Sequence, residues 1–138
     1  MPLSKSVKYR NRLITECDTL VSLVVRNRDK QCQTCLFLGK YPEGSTREIS
    51  ELQCGHLFSR RFGATRFDLV NCNAQCPGCN KYHNYNSVPY TDWFITKYGL
   101  EKWRELYLET RTIKKWTVFD LEELKLKLLD MLHKLQNE

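Results

Sequence analysis

Two Cys-x-x-Cys pairs constrain the fold of this chain more than any other feature of its sequence. Cys32 and Cys35 form the first pair, and Cys76 and Cys79 form the second. Together they supply four soft ligands, and structural zinc is coordinated tetrahedrally by four such ligands. We therefore expect a structural zinc ion that joins the two pairs and closes off the segment between them.

The number of cysteines indicates a reducing compartment, and the pattern of apolar residues argues against secretion and membrane insertion. Seven cysteines are an odd number, which argues against a closed disulfide framework. The first residues lack the apolar region of a signal peptide, and no apolar run is long enough to span a membrane. We expect a cytoplasmic protein with no membrane partner. Cys17 and Cys72 are expected to be structural thiols, and Cys54 a small buried apolar residue.

The chain carries a moderate excess of positive charge. It has 22 Lys and Arg residues against 16 Asp and Glu residues, for a formal net charge of +6. Four zinc-bound thiolates would leave the net charge positive. Such an excess suits a polyanionic partner such as DNA but does not by itself identify one.

Length and pattern predict one domain in three parts. A basic amphipathic helix occupies 1–31, a zinc-bound core occupies 32–88, and a helical region occupies 89–138. Within the first part, apolar spacing predicts a helix over 8–28 with a solvated basic face, preceded by a short tail over 1–7.

The last part is predicted to be helical, with a break at Gly99 between helices over about 90–98 and 100–109. Thr117–Asp120 is a capping box that begins the final helix. Leucines in that helix recur every seven residues, which favours packing on the same chain and makes the helix the best candidate for a homodimer contact. These leucines are Leu121, Leu128 and Leu135.

The segment between the cysteine pairs is predicted to contain a hairpin. Turn residues indicate a loop or loose hairpin over 36–50. A strand over 48–58 passes through His56, a basic loop covers 59–66, and a return strand covers 67–74. Pro77 suits the first turn of a helix that starts at the second cysteine pair.

Side chains suited to phosphodiester hydrolysis converge on this hairpin. If the strand lies beside the helix, His56 faces the first turn, where Asn80, His83 and Asn84 project at i, i+3 and i+4 spacing. Hydrolysis needs a base to activate water and a metal to stabilise the developing charge. A neutral histidine is a suitable base, and amide or imidazole groups can hold a divalent ion.

Each of these side chains also has a purely structural interpretation. His56 could pack without reacting, Asn80 could cap the helix, and His83 could be a surface histidine. The arginines of the basic loop could be solvated, although their position beside the predicted site favours phosphate binding. These arginines are Arg60, Arg61 and Arg66.

The order of these motifs resembles that of the HNH (ββα-metal) nucleases built on a treble-clef zinc site. More narrowly, it resembles the phage NinG/Rap recombination nucleases. The resemblance implies an α+β fold in which a treble-clef zinc core carries an HNH-like ββα-metal motif flanked by helices. The matching stretches are 25–29, 53–61, 64–68, 75–80 and 114–116.

The resemblance also implies roles for individual residues. His56 would be the general base, Asn71 would orient it through the backbone, and Asn80 would bind a catalytic Mg²⁺ or Mn²⁺ ion. Many relatives have Asp or His directly before the base as a second metal ligand, but here that position is Gly55. His83, Gln53 or His56 itself would have to supply the missing ligand.

The function implied is metal-dependent cleavage of DNA during recombination, with branched substrates such as D-loops or Holliday junctions. One alternative is a non-catalytic zinc module that binds nucleic acid. Another is a sequence-specific HNH nuclease, although no additional element for reading bases is evident in the sequence.

Overall fold

The computed structural model describes residues 2–40 and 48–138, which form an α+β fold dominated by helices. Its sheet is an antiparallel hairpin of β1 (Gln53–His56) and β2 (Cys72–Gln75). Among the described residues, no helix is both long and apolar enough to cross a membrane. The helices are α1 (Lys5–Asp29), α2 (Gln33–Phe37), α3 (Pro77–Tyr82), α4 (Val88–Tyr98), α5 (Leu100–Thr110) and α6 (Val118–Gln136).

Helix α1 starts three residues earlier than the apolar pattern predicts, so the predicted tail over 1–7 is wrong in part. The Ser4 hydroxyl accepts a hydrogen bond from the Val7 backbone N–H at 3.2 Å and caps the helix. At the other end, Lys30 adopts a left-handed conformation with φ 65°, and its N–H donates to the Arg26 carbonyl.

Strand β1 is shorter than the predicted strand over 48–58, which is a correction to the sequence analysis. Ile49–Glu51 forms a 3₁₀ turn instead. The Glu51 carboxylate accepts a hydrogen bond from the Glu48 N–H at 3.1 Å, in a capping box that favours the turn over an extended strand.

Strand β2 is likewise shorter than the predicted return strand over 67–74. The Asp68 carboxylate accepts a hydrogen bond from the Val70 N–H at 2.8 Å, and such a local contact stabilises a turn. The predicted loop over 36–50 lies partly outside the described residues, at 41–47; its first two residues belong to α2 and its last two to the 3₁₀ turn.

The main core lies between α1, α6 and one face of the hairpin. Helix α6 begins with the predicted capping box, in which the Asp120 N–H donates to the Thr117 hydroxyl at 3.1 Å. Its inner face packs on α1, whereas Leu129 is 43% exposed. The buried residues that α1 and α6 contribute are Leu13, Cys17, Leu20, Val21, Val24, Val25, Leu121, Leu128 and Leu132.

Helices α4 and α5 form a second core against the hairpin. Tyr90, Phe94 and Leu106 are buried there. The Tyr90 hydroxyl donates to the Gly55 carbonyl at 2.7 Å and accepts a hydrogen bond from the Asn73 amide at 3.0 Å. Helix α4 is therefore attached to both strands through one buried phenol.

The segment before α6 contacts the loop between the two strands. The Trp116 indole N–H donates to the Gly63 carbonyl at 2.9 Å, and its ring packs edge-on against Phe67 with 5.1 Å between centroids. The Arg10 side chain of α1 donates to the Trp116 carbonyl at 2.8 Å. Residues late in the chain thus hold a loop that lies far earlier in the sequence.

Candidate metal centre and active-site cleft

The four cysteines of the two pairs converge at the starts of two short helices. Cys32 is the N-cap of α2 and Cys76 is the N-cap of α3, and each sulfur accepts a hydrogen bond from the N–H three residues later at 3.4 Å. The Cys35 sulfur lies 3.4 Å from that of Cys79 and 3.8 Å from that of Cys76. Tetrahedral zinc with bonds of about 2.3 Å places sulfurs about 3.8 Å apart. The cluster therefore can hold a metal ion such as zinc.

Electrostatics also favour a cation among these sulfurs. Burial raises the pKa of the Cys35 thiol to about 11. Four thiolates at such short distances repel one another, and a divalent ion would offset that repulsion. Because the thiols must lose their protons to bind, zinc affinity should fall as the pH falls.

His56 lies at the end of β1 with its ring attached to the backbone of the following loop. Its Nε2 atom is 2.9 Å from the Arg66 carbonyl oxygen. A carbonyl can only accept, so Nε2 carries the proton and Nδ1 is the basic nitrogen. Burial lowers the pKa of His56, which keeps the imidazole neutral at physiological pH.

Asn71 is fully buried and joins the two ends of the loop between the strands. Its side-chain oxygen accepts a hydrogen bond from the Phe58 N–H at 2.9 Å. Its amide group donates to the Phe58 and Thr65 carbonyls at 3.0 and 3.1 Å. These bonds fix the backbone at Phe58, two residues after His56. They also fix Thr65, which directly precedes Arg66, and the Arg66 carbonyl is the one that accepts the hydrogen bond of the His56 ring.

Three polar side chains lie beside β1, from Asn80 in α3 and from His83 and Asn84 directly after this helix. The Asn80 amide donates to the Gln53 side-chain oxygen at 2.9 Å. The His83 Nε2 lies 2.9 Å from the Leu57 carbonyl, and its Nδ1 is buried with no hydrogen-bond partner among the described residues. Asn84 is exposed on the same side of the helix.

These side chains line an open cleft of about 800 Å³ between α1, β1 and α3. Sequence reasoning missed the wall that α1 contributes, since the polar side of that helix was expected to be only a solvated basic face. The signal was a polar stripe at i, i+4 and i+8, formed by Asp18, Ser22 and Arg26.

The three arginines of the loop lie in different environments. Arg66 makes a two-pronged ion pair with Asp18, with distances of 3.0 and 2.5 Å, and its side chain is 27% exposed. Arg60 is 62% exposed at the rim of the cleft, 3.9 Å from Asp18. Arg61 is exposed and lies over the Phe62 ring at 4.7 Å. Arg60 and Arg61 are therefore accessible to phosphate, whereas Arg66 is bound to a carboxylate.

Gly55 is required by the packing behind it. A Cβ atom at this position would lie 1.9 Å from the Gln75 side-chain oxygen. Side chains alternate along a strand, so residue 55 also points to the face opposite His56. An Asp or His at this position would collide with Gln75, which explains why the residue before His56 carries no ligand.

Cys54 differs from the expectation that it is a buried apolar residue, because it is half-buried and lines the cleft. Cys17 and Cys72 are fully buried, as expected. The ligand atoms of Cys54, His56 and Cys72 all lie within 4.8 Å of one another. The hairpin therefore carries a second group of side chains that could hold a metal ion, beside the four-cysteine cluster.

Comparison with known families supports this combination of motifs. A model of the family described as "Bacteriophage Lambda NinG protein" matches residues 3–138. The chain belongs to the NinG family. The NinG resemblance drawn from the cysteine pairs and the His56 segment is thereby confirmed.

Two curated NinG relatives match almost the whole chain. The proteins named ninG of Escherichia phage 933W and of Enterobacteria phage VT2-Sa are each 27% identical to it over 133 residues. The matched region covers 96% of this chain and 62% of each relative, so the chain spans less than two thirds of their length. No solved structure gives a significant match.

Proposed function

We propose that this NinG-family chain is a metal-dependent endonuclease that cleaves branched DNA, such as D-loops or Holliday junctions, during recombination. The observation that supports this best is the state of His56 in the cleft. Its Nε2 is fixed by the Arg66 carbonyl at 2.9 Å, which leaves Nδ1 as a basic nitrogen. A neutral, oriented imidazole in an open cleft is suited to activating water.

We interpret the hairpin and α3 as an HNH-like ββα-metal motif on a treble-clef zinc core. Support comes from the order β1, β2, α3 and from the two cysteine pairs at the starts of α2 and α3. Zinc would have a structural role here, because four cysteines leave no open coordination position.

Asn80 and His83 would hold the catalytic Mg²⁺ or Mn²⁺ ion, with Gln53 as a neighbouring oxygen ligand. The Nδ1 of His83 is buried and has no hydrogen-bond partner in the part of the chain that the structure describes, and it fits this role because metal-binding histidines usually donate their other ring N–H to a carbonyl or carboxylate. The bound ion would supply positive charge that stabilises the phosphate in the transition state. His56 would take a proton from the attacking water at Nδ1.

Arg60 and Arg61 would hold the DNA backbone across this cleft, whereas Arg66 is held by its ion pair with Asp18. Arg26 lines the opposite wall, so phosphates would meet positive charge on both sides. Contacts with phosphates do not distinguish one base from another, which agrees with a substrate recognised by its branched shape rather than by its sequence.

Substitution of His56 tests the proposal directly. His56→Ala should lower cleavage of a four-way junction or D-loop about 10²- to 10⁴-fold, because the general base is lost. His133→Ala, which removes an exposed histidine near the end of α6, is the matched control and should cut at the parental rate. The assay compares linear duplex, flap, D-loop and junction DNA with Mg²⁺, Mn²⁺ or a chelator.

The alternative is a zinc module that binds nucleic acid without cutting it. Gly55 favours this alternative, because a glycine has no side chain that could serve as the metal ligand usually found directly before the base. Tight binding of branched DNA without cleavage under any metal condition would establish it. Equal cleavage by parent and His56→Ala would instead place the active site elsewhere.

Helix α6 is also proposed as a homodimer contact. Exposed apolar side chains remain on it after it packs on α1, namely Phe119, Leu126 and Leu129. Sedimentation measurements should show a dimer for the parent and a monomer for Leu126→Glu. A monomeric parent at assay concentrations would remove this proposal.

A further inference from the structure

Cys54, His56 and Cys72 share one face of the hairpin. His56 pairs directly with Cys72 across the two strands, and Cys54 lies two residues before His56 on β1. Side chains at these positions point to the same side of a sheet. Their sulfur and nitrogen atoms lie within 4.8 Å of one another.

The three side chains are a suitable donor set for a soft metal ion. Zinc sites with an open position use three protein ligands, and two cysteines with one histidine are a known combination. Tetrahedral zinc needs ligand atoms about 3.5–3.8 Å apart, so these atoms must approach one another by about 1.3 Å at most. Cys54 and His56 line the cleft and Cys72 is fully buried, so an ion bound here would lie at the cleft floor.

The surroundings already orient the histidine for such a role. Its Nε2–H is held by the Arg66 carbonyl at 2.9 Å, and the Cys72 sulfur lies 3.6 Å from the same oxygen. A backbone carbonyl on one ring nitrogen commonly fixes the other nitrogen toward a metal. We propose that Cys54, His56 and Cys72 bind a second zinc ion, separate from the ion of the four-cysteine cluster.

Zinc at this position would inhibit DNA cleavage, a consequence that rests on the proposed function. His56 has one nitrogen that is not held by the backbone, and the same nitrogen cannot both bind zinc and accept a proton from water. Binding of the second ion does not depend on whether the chain is a nuclease. The zinc-binding proposal and the nuclease proposal can therefore be contradicted independently of each other.

Zinc content measures the second site directly. The reduced protein is equilibrated with excess zinc buffered by a weak chelator, desalted and analysed for metal per folded chain. The parent should hold two zinc ions, and Cys54→Ser and Cys72→Ser should each hold one. Cys17→Ser is the control, because this buried thiol of α1 lies outside both clusters, and it should hold two.

A single zinc ion in the parent, or two in folded Cys54→Ser, would overturn the proposal. A second measurement needs no variant: alkylation of Cys54 in the parent is followed by mass spectrometry. Added zinc should slow alkylation at least about tenfold through lost thiolate access, whereas Mg²⁺ should not change it. An alkylation rate that zinc does not change, or a Cys54–Cys72 disulfide formed in place of metal binding, would also overturn it.

Cleavage supplies the functional arm of the test. Zinc added to a Mg²⁺-supported reaction should inhibit the parent, whereas Cys54→Ser, compared with its own rate before zinc is added, should resist zinc. If the parent binds two zinc ions and zinc does not inhibit cleavage, the second zinc site is supported, but His56 is not the general base.

Discussion

At the scale of single residues, the environment of His56 determines how cleavage should depend on pH. Burial lowers its pKa below the usual value of about 6.5, and the Arg66 carbonyl holds the remaining proton on Nε2. The imidazole is therefore neutral and able to act as a base throughout the neutral range.

We expect kcat/KM for junction cleavage to rise with pH only below about 6.5 and to be level between about pH 7 and 8. The lowered pKa fixes this direction, because protonation of His56 removes the base only in acid. Initial rates across a set of buffers at constant ionic strength measure the profile. A rate that continues to climb above pH 7 would assign the titrating group to something other than His56.

Tyr90 is a second residue whose polar atom has a definite role. Tyr90→Phe leaves the Gly55 carbonyl and the Asn73 amide without this buried partner, which should lower the free energy of unfolding by about 1–3 kcal/mol. Tyr85→Phe is the control, since Tyr85 is 77% exposed, and it should change little. Denaturant unfolding at saturating zinc gives both values; equal stability of the two variants would show that the buried phenol is replaceable.

At the scale of elements, the arginine loop divides into accessible and structural members. Arg60→Gln combined with Arg61→Gln should reduce the slope of log affinity against log salt by up to about two, because each lost phosphate contact reduces counterion release. Arg66→Gln should instead destabilise the fold, because it removes the closer of the two arginines paired with Asp18. Binding titrations over a range of salt concentrations separate these effects.

The control for this loop is an equally basic pair elsewhere. Arg104→Gln combined with Arg111→Gln removes the same charge from exposed positions in and just after α5. That variant should keep the parental salt slope. If both double variants reduce the slope equally, the loop has no special contact with DNA and only net charge matters.

The sequence predicts some elements well because their signals are local. The cysteine spacing identifies the metal cluster, and the Thr117–Asp120 capping box identifies the start of α6. The strand lengths are wrong because side-chain contacts of Glu51 and Asp68 turn the backbone where β propensity alone predicts extension. Periodicity cannot show these competing bonds.

The cleft is less predictable because it depends on contacts between distant parts of the chain. Asp18 lines it only because α1 packs across the hairpin, and Cys54 lines it only because of the strand register. Gly55 looks like a missing ligand in the sequence, but its contact with Gln75 gives a packing reason. The register of the two strands and the packing of α1 across them are tertiary properties, and a single sequence contains no direct signal for either.

At the scale of the whole molecule, the four-cysteine cluster connects segments that are far apart in the chain. Cys76→Ala, or removal of zinc by a chelator, should unfold the hairpin and α3, because zinc binding of order 10 kcal/mol is largely folding free energy in such sites. Circular dichroism melting combined with metal analysis measures the loss. A zinc-free protein that melts at the parental temperature would show that the helical core alone maintains the fold.

The contacts of Trp116 have a consequence for how the protein is made. All four cysteines of the metal cluster precede residue 80, whereas the indole that bonds to the Gly63 carbonyl comes 37 residues after Cys79. A ribosome releases the chain from its N-terminus, so all four cysteines of the cluster leave the exit tunnel before Trp116 does. The arginine loop next to His56 cannot reach its final position until Trp116 has also emerged. During translation, metal loading can therefore begin first, and the cleft is completed last.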